Sequence, residues 1–169
     1  MTGPMGVGKS TVASALADHL DRPHRDSDRD LGTLFGRSGA VLAAERGLWA
    51  LHRIEAALLL GALDVERPLV VSAAASVVDD EACRDALARR ALVVVLDASP
   101  AVLAERMRSG RHRRPMTAEE VKVVAARRAP LFAAVADVVI DATPGRRRVI
   151  RTAIAAVDAL PPGALLGSR

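Results

Sequence analysis

The chain has no tyrosine, one tryptophan, two phenylalanines and one cysteine in 169 residues. A single cysteine, Cys83, excludes an internal disulfide and any cysteine-rich zinc site, and reads as a small hydrophobe on a helix. With aromatics at 2 %, the core must be aliphatic, built from Ala, Val and Leu. Long apolar runs are also missing. Leu58–Leu60 and Val93–Leu96 are too short to cross a bilayer, and no signal-peptide pattern is read. A cytoplasmic protein without a membrane partner is expected. The guanine-reading Asn/Thr-Lys-x-Asp signature is absent, which argues against a GTPase.

Half of the residues are hydrophobic, enough for a real core, and the length suits one domain. That domain is expected over residues 1–160, with a frayed tail at 161–169. The net charge is +4 and the pI about 10.4. The arginines are scattered (Arg89-Arg90, Arg111 to Arg114, Arg146 to Arg148) and have no aromatic neighbours to stack on bases. They read as solvated charge, and no nucleic-acid partner is expected. No internal repeat is visible.

Residues 3–10 read Gly-Pro-Met-Gly-Val-Gly-Lys-Ser, a complete G-x-x-x-x-G-K-[ST] phosphate-binding loop. Such a loop wraps a phosphate chain with backbone N–H groups, so it needs glycines where side chains would block the approach. Gly3, Gly6 and Gly8 supply them, with Met5 and Val7 between. Lys9 brings a charge to the β- and γ-phosphates, and Ser10 offers a hydroxyl to Mg²⁺. Thr11 follows on the helix that starts here, whose positive N-terminus faces the phosphates.

The rest of the chain alternates strands and helices. His24–Asp28 is a poor strand behind Pro23, tolerable at a sheet edge. Two short helices are expected in 29–45, with a turn at Gly36–Gly39, then a longer one over 47–63. Pro68–Ser72 and Ala91–Leu96 are buried strands, and 79–90 is helical. Ser99-Pro100 starts a helix to about Arg108. Thr117 with Glu120 caps another that is kinked near Pro130. Val135–Ile140 is a strand and Arg147–Leu160 a final helix. This pattern predicts an α/β fold, a parallel sheet covered by helices on both faces. Ligands then bind beyond the carboxyl ends of the strands, where the phosphate loop, Asp26, Asp28, Ala73–Ala75 and Asp97 share one rim. Two carboxylates at Asp26 and Asp28 suit one role near Mg²⁺ and one near an acceptor hydroxyl. The basic stretch Arg111 to Arg114 lies where small kinases carry a lid.

Over nearly all of residues 3–141 the chain resembles the shikimate kinase family of nucleoside-monophosphate-kinase-like P-loop proteins. The resemblance is carried by the loop at 3–11, Asp-Ser-Asp at 26–28, Gly-Arg-Ser at 36–38, Gly47 and Glu55. Leu-Asp at 96–97, Arg114-Pro115, Arg128-Ala-Pro-Leu-Phe132 and Ala136-Asp137 continue it. It implies a three-layer P-loop α/β/α fold with sheet order 2-3-1-4-5. It also implies ATP-dependent phosphoryl transfer to a hydroxyl of a small metabolite, shikimate or a related compound, by a monomer. Lys9 and Ser10 would serve the phosphates and Mg²⁺, and Asp26 would sit near the metal through water. Asp28 would hold the acceptor hydroxyl, Arg114 would act from a lid at about 108–116, and Arg128 would contact the acceptor's carboxylate.

The acceptor half departs from the family pattern. His52 stands where an arginine is expected to clamp a carboxylate, and an imidazole cannot replace a bidentate guanidinium. Arg53 points about 100° away on a helix. Ala73-Ala74-Ala75 replaces three glycines against which the acceptor would pack, and Ala74 narrows that wall. A nucleotide-binding regulatory protein that has lost acceptor phosphorylation is the alternative reading. A nucleoside-monophosphate kinase is a third, for which no base pocket is visible. Finally, only Met1 and Thr2 precede Gly3, where a central strand typically has about five apolar residues. The middle strand is therefore expected to be truncated, with Leu69–Ser72 and Leu92–Leu96 flanking a gap. The native protein is expected to start upstream.

Overall fold

The computed structural model describes residues 1–108, 116–161 and 163. The elements run α1 (Lys9–His19), β1 (His24–Asp26), α2 (Ser27–Phe35), α3 (Gly39–Leu63) and β2 (Val70–Ser72). A 3₁₀ turn at Ala75–Asp79 leads to α4 (Glu81–Arg90), β3 (Val94–Asp97), α5 (Pro100–Arg108), α6 (Ala118–Val135), β4 (Val138–Asp141) and α7 (Arg146–Asp158). The expected lid, including Arg111 to Arg114, lies outside the described residues.

Side-chain caps start several helices as their residue types require. Asp26 caps α2, Ser38 caps α3 and Asp80 caps α4. Thr117 and Glu120 form the reciprocal capping box of α6. The span α3 holds the two helices expected after Gly36, which meet at Gly47, whose φ 84° and ψ 157° are non-helical and essentially confined to glycine. Helix α6 runs through Pro130 rather than stopping there. The carbonyl that loses its donor belongs to Ala126, and both residues are exposed, so water can satisfy it.

Strands β1 and β2 pair in parallel, as do β3 and β4. Met1 and Thr2 join the two pairs. The Met1 amine donates to the Val71 carbonyl at 2.6 Å, and Ala73 N–H donates to the Met1 carbonyl at 2.9 Å. On the other side Thr2 N–H donates to Val94 O at 2.9 Å, and Leu96 N–H to Thr2 O at 3.0 Å. With Met1–Thr2 counted as the first strand, the order is 2-3-1-4-5, and the middle strand is two residues long. Period-2 alternation along β3 sends Val94 and Leu96 into one core with Leu16, Ile140 and Val157. It sends Val93 and Val95 into the other, with Leu59, Val77, Cys83 and Phe132. Helices therefore cover both faces. Cys83 is buried on α4, as its sequence context predicts.

Behind Met1 the sheet is open. A cavity of about 450 Å³ lies between β2 and β3, lined by Met1, Leu59, Val70, Val71, Leu92 and Val157 among others. Burial, reinforced by the charge of Lys9, lowers the Met1 amine from 8.0 to about 5. A depressed amine binds fewer protons folded than unfolded. Stability should therefore fall as pH drops from about 8 to about 5. Four Val/Ile residues fused ahead of Met1 should fill the slot, remove that pH dependence and raise Tm by at least ~5 °C. A Gly/Ser extension of equal length should not raise Tm. Denaturant titrations across pH and thermal melts of the three chains check this, and equal melting of all three would refute the open slot.

Candidate active site

The phosphate loop leaves Thr2 and turns at once. Gly3 has φ 139°, and a Cβ there would lie 2.2 Å from the Leu96 carbonyl oxygen, so only glycine fits beside β3. Gly8, at φ 106°, precedes α1 and provides no side-chain cap. A helix start of this kind turns its backbone N–H groups toward the loop, the arrangement that binds anions. The Lys9 ammonium rests on the carbonyls of Gly3 at 3.0 Å and Pro4 at 3.1 Å. Arg106, which sequence reasoning did not single out, braces the loop. Its guanidinium donates to Val7 O at 3.3 Å and to Ala142 O at 2.8 Å. Ser10 and Thr11 are exposed at the start of α1.

Asp26 is only 6 % exposed, yet it ends an edge strand on the rim. Its Oδ1 accepts from the backbone N–H of Asp28 and Arg29, both at 3.1 Å. Its Oδ2 accepts from Ser72 Oγ at 2.5 Å, and Ser72 Oγ in turn lies 3.1 Å from His24 Nε2. The Ser10 hydroxyl also lowers its pKa. Burial pushes this carboxyl up, but the Ser10, Ser72 and Arg29 hydrogen bonds outweigh it and hold it below the usual 3.8. An anionic carboxylate and a hydroxyl thus meet at the phosphate end of the loop, a hard-oxygen pair of the kind Mg²⁺ takes. Asp28 sits exposed in the first turn of α2.

The opposite wall comes from α3, the 3₁₀ turn and α6. Glu55 is buried on α3 and accepts a short hydrogen bond from Ser76 Oγ. Burial raises its carboxyl above 4.5, and the charge of Asp28 adds to the rise. Ser76, Arg128 and Lys9 pull it back in part. Arg128 is 6 % exposed. Its Nε donates to the two Asp79 carboxylate oxygens at 3.2 and 3.1 Å, and its Nη2 donates to Oδ2 at 2.6 Å. Arg127 adds a bond to the same oxygen at 3.0 Å. His52 is half-buried here. Burial and the charges of Arg128 and Arg127 lower its pKa below 6.5, against the opposing pull of Asp79, so it is neutral at pH 7. Arg53 turns away, its guanidinium 5.4 Å from the centre of the exposed Trp49 ring.

The three alanines are not strained. Among the described residues only Asp21 combines a side chain with positive φ, and Ala74 has φ −59°. The sequence-based concern that this wall demands glycine conformations does not hold in this backbone, although Ala74 does add a methyl to it. Arg114 lies outside the described residues. Ser72, Ser76 and Asp79 are the site residues that sequence reasoning missed. The Asp79-Asp80 pair carried the one available signal: one carboxylate caps α4, which leaves the other for a tertiary partner.

A parallel sheet with a glycine-rich loop at its carboxyl rim, facing a wall of carboxylates and a buried arginine, defines a P-loop phosphotransferase. Comparison with known proteins narrows the class. The shikimate kinase family model matches residues 5–158. The chain is 34% identical over 144 residues to a shikimate kinase of Symbiobacterium thermophilum, covering 82% of each. It is 32% identical over 166 residues to one of Halorhodospira halophila, covering 95% of this chain and 93% of that one. A shikimate kinase from Acinetobacter baumannii in complex with shikimate superposes with a TM-score of 0.86 at 23% identity, over 95% of this chain and 93% of that one. The chain belongs to the shikimate kinase family and is a small-molecule kinase. Among the described residues no helix is long and apolar enough to cross a membrane.

The Asp79–Arg128 pair makes a pH prediction. Burial pushes the Asp79 carboxyl up, but the Arg128 hydrogen bonds, with the charges of Arg128, Arg127 and His52, outweigh it and hold it below 3.8. A depressed carboxyl contributes stability that is full above its unfolded value and is lost as pH falls through its folded value. Asp79→Asn should therefore cost roughly 1–3 kcal/mol near pH 7, and this deficit should shrink as pH falls below about 4. Urea titrations of both proteins at pH 7 and pH 3 measure it, and an equal deficit at the two pH values would contradict the pairing.

Proposed function

We propose that the protein transfers the γ-phosphoryl group of Mg·ATP to an alcohol of a small polyhydroxy acceptor of about the size of shikimate. The observation that carries this reading is the complete phosphate loop, with Lys9 on the Gly3 and Pro4 carbonyls, on the same sheet rim as the Asp26–Ser72 and Asp79–Arg128 contacts. The main chain of Gly3, Met5, Gly6, Val7 and Gly8 cradles the phosphates, and Ser10 and Thr11 continue the cradle onto α1. Lys9 leaves the Gly3 and Pro4 carbonyls for the β- and γ-phosphates, because a phosphate oxygen is the stronger acceptor for an ammonium. Ser10 and Asp26 are the residues that would hold Mg²⁺, which would supply charge neutralisation along the phosphate chain.

Asp28 orients the acceptor hydroxyl and takes its proton as the new O–P bond forms. The bond from phosphorus to the β–γ bridging oxygen breaks, and ADP leaves with that electron pair. His52, Ala74 and Arg128 line the acceptor side. Arg114 is assigned to the lid, where it stabilises the transferring group and excludes water. The fold supports this reading by setting both halves on one sheet rim, within reach of one transferred group.

Lys9→Ala should lower kcat by at least ~100-fold, since it removes charge that acts on the transferring phosphoryl, while Tm changes by less than ~2 °C. A coupled ADP-release assay with hydroxy-acid, sugar and cyclitol acceptors, run beside thermal melts, tests this. Unchanged turnover in Lys9→Ala would overturn the assignment. ATP binding with no turnover of any alcohol by the unaltered chain would favour the nucleotide-binding regulatory reading.

A further inference from the structure

The side chains that hold Asp26 do not stop at Ser72. Strand β1 places His24 and Asp26 on one face, two residues apart, and the register of β1 on β2 sets Asp26 opposite Ser72. Ser72 is 2 % exposed and Asp26 6 %, so neither meets bulk water. Ser72 Oγ has one proton and two lone pairs. The proton is committed to Asp26 Oδ2 at 2.5 Å, because an ionised carboxylate only accepts. The 3.1 Å contact with His24 Nε2 must then run the other way, with the ring donating and Ser72 Oγ accepting. His24 Nδ1 agrees with this. It is buried with no hydrogen-bond partner among the described residues, so a proton placed there would have no acceptor. The two bonds form one directed chain from His24 Nε2–H through Ser72 Oγ–H to Asp26 Oδ2.

This chain limits what Asp26 can still accept. A carboxylate offers about four lone-pair positions. The backbone N–H groups of Asp28 and Arg29 both fall on Oδ1. Ser72 takes one position on Oδ2, which leaves one. Ser10, whose hydroxyl also acts on this carboxylate, is the other residue that would hold Mg²⁺. We propose that His24 is a positioning residue of the cation site: by donating to Ser72 it locks that hydroxyl onto Asp26 and reserves the last open position of the carboxylate for Mg²⁺ or its water shell. The proposal rests on the Mg·ATP reading above and adds a residue to it. His24 acts through Ser72 and is not itself a ligand. Without the ring donor, the Ser72 hydroxyl loses the bond that polarises it and holds its rotor, in a place too buried for bulk water to substitute.

The first test needs neither metal nor variant. At a pH of about 8, above the ordinary imidazole range, the ¹⁵N spectrum of the ring should show His24 as the Nε2–H tautomer. The Nδ1–H tautomer would overturn the proposal. In Ser72→Ala the preference should be lost, and its persistence would count against the chain. The second test is calorimetry of a non-hydrolysable ATP analogue over a Mg²⁺ titration. His24→Phe should raise the Mg²⁺ needed for half-maximal strengthening about tenfold, the low end for a partner behind a metal-binding carboxylate. His24→Gln, which keeps an N–H donor near the Nε2 position, should return it to within about threefold of the unaltered chain. Because the two side chains act in series, His24→Phe added to Ser72→Ala should cost no more than Ser72→Ala alone. An unchanged Mg²⁺ requirement in a folded His24→Phe, or additive losses in the double variant, would overturn the proposal. So would weakening of the analogue by His24→Phe that is equal with and without Mg²⁺, since that marks general damage to the loop. If Mg²⁺ does not strengthen the analogue on the unaltered chain, the Mg·ATP reading fails and takes the proposal with it. If it does and the variants respond alike, the proposal alone fails.

Discussion

Four backbone hydrogen bonds made by two residues hold the sheet together. Met1 ties to Val71 and Ala73, and Thr2 ties to Val94 and Leu96. Without them β1–β2 and β3–β4 are separate two-stranded pairs, and an isolated pair of strands is marginal in water. Helices bridge the halves as well. One core cluster draws on α1, β3, α5, β4 and α7, and the other on α3, α4, β3 and α6. But helix packing on a sheet presupposes a continuous surface. The net value of each bond is only about 0.5–1.5 kcal/mol, and what they secure is the relative placement of the two halves. The cavity behind Met1 marks where that continuity stops.

The same constraint sets the chemistry. Because Met1 is paired to the β2 side and Thr2 to β3, the chain enters the phosphate loop in a fixed direction, and Gly3 must pass against the Leu96 carbonyl. From there the loop reaches α1, with Arg106 tying its Val7 carbonyl to that of Ala142 after β4. On the neighbouring strands Asp26 does structural and chemical work together. Its carboxylate caps α2, ties the edge strand to β2 through Ser72, and meets Ser10 at the mouth of the loop. A neutral Asn there would keep part of the cap but lose the charge that draws the Ser10 and Ser72 hydroxyls inward. Sheet edge, helix start and cation site are thus coupled through one side chain.

Features that depend on local sequence were legible before the structure. The phosphate loop, the apolar strands, the Thr117–Glu120 box and the Ser99-Pro100 start each follow from neighbours within a few residues. What escaped depends on partners far apart in the chain. Ser72 meets Asp26 across 46 positions, and Arg128 meets Asp79 across 49. No period or cap rule encodes such pairs. Gly47 was legible as a helix boundary, but the packing of Leu42 and Leu51 from its two sides into a shared cluster with Leu31 was not. The helix through Pro130 was legible as well, since Thr117 and Glu120 mark its start and the expected end near Ala134 lies one residue from the observed one.

The two walls of the rim are prepared in different ways, and that difference is the physical content of the site. On the nucleotide wall the Lys9 ammonium rests on neutral carbonyls. Phosphate oxygens, carrying full charge, displace such acceptors readily. On the acceptor wall the Arg128 guanidinium rests on a carboxylate. Arg127 bonds the same carboxylate, so two guanidinia share one Asp79 and the wall keeps a net positive charge. The tether fixes the plane of the Arg128 guanidinium against the 3₁₀ turn through its Nε and Nη2 edge. The resting hydrogen bonds of the two walls therefore set the orientation in which each cation meets a ligand.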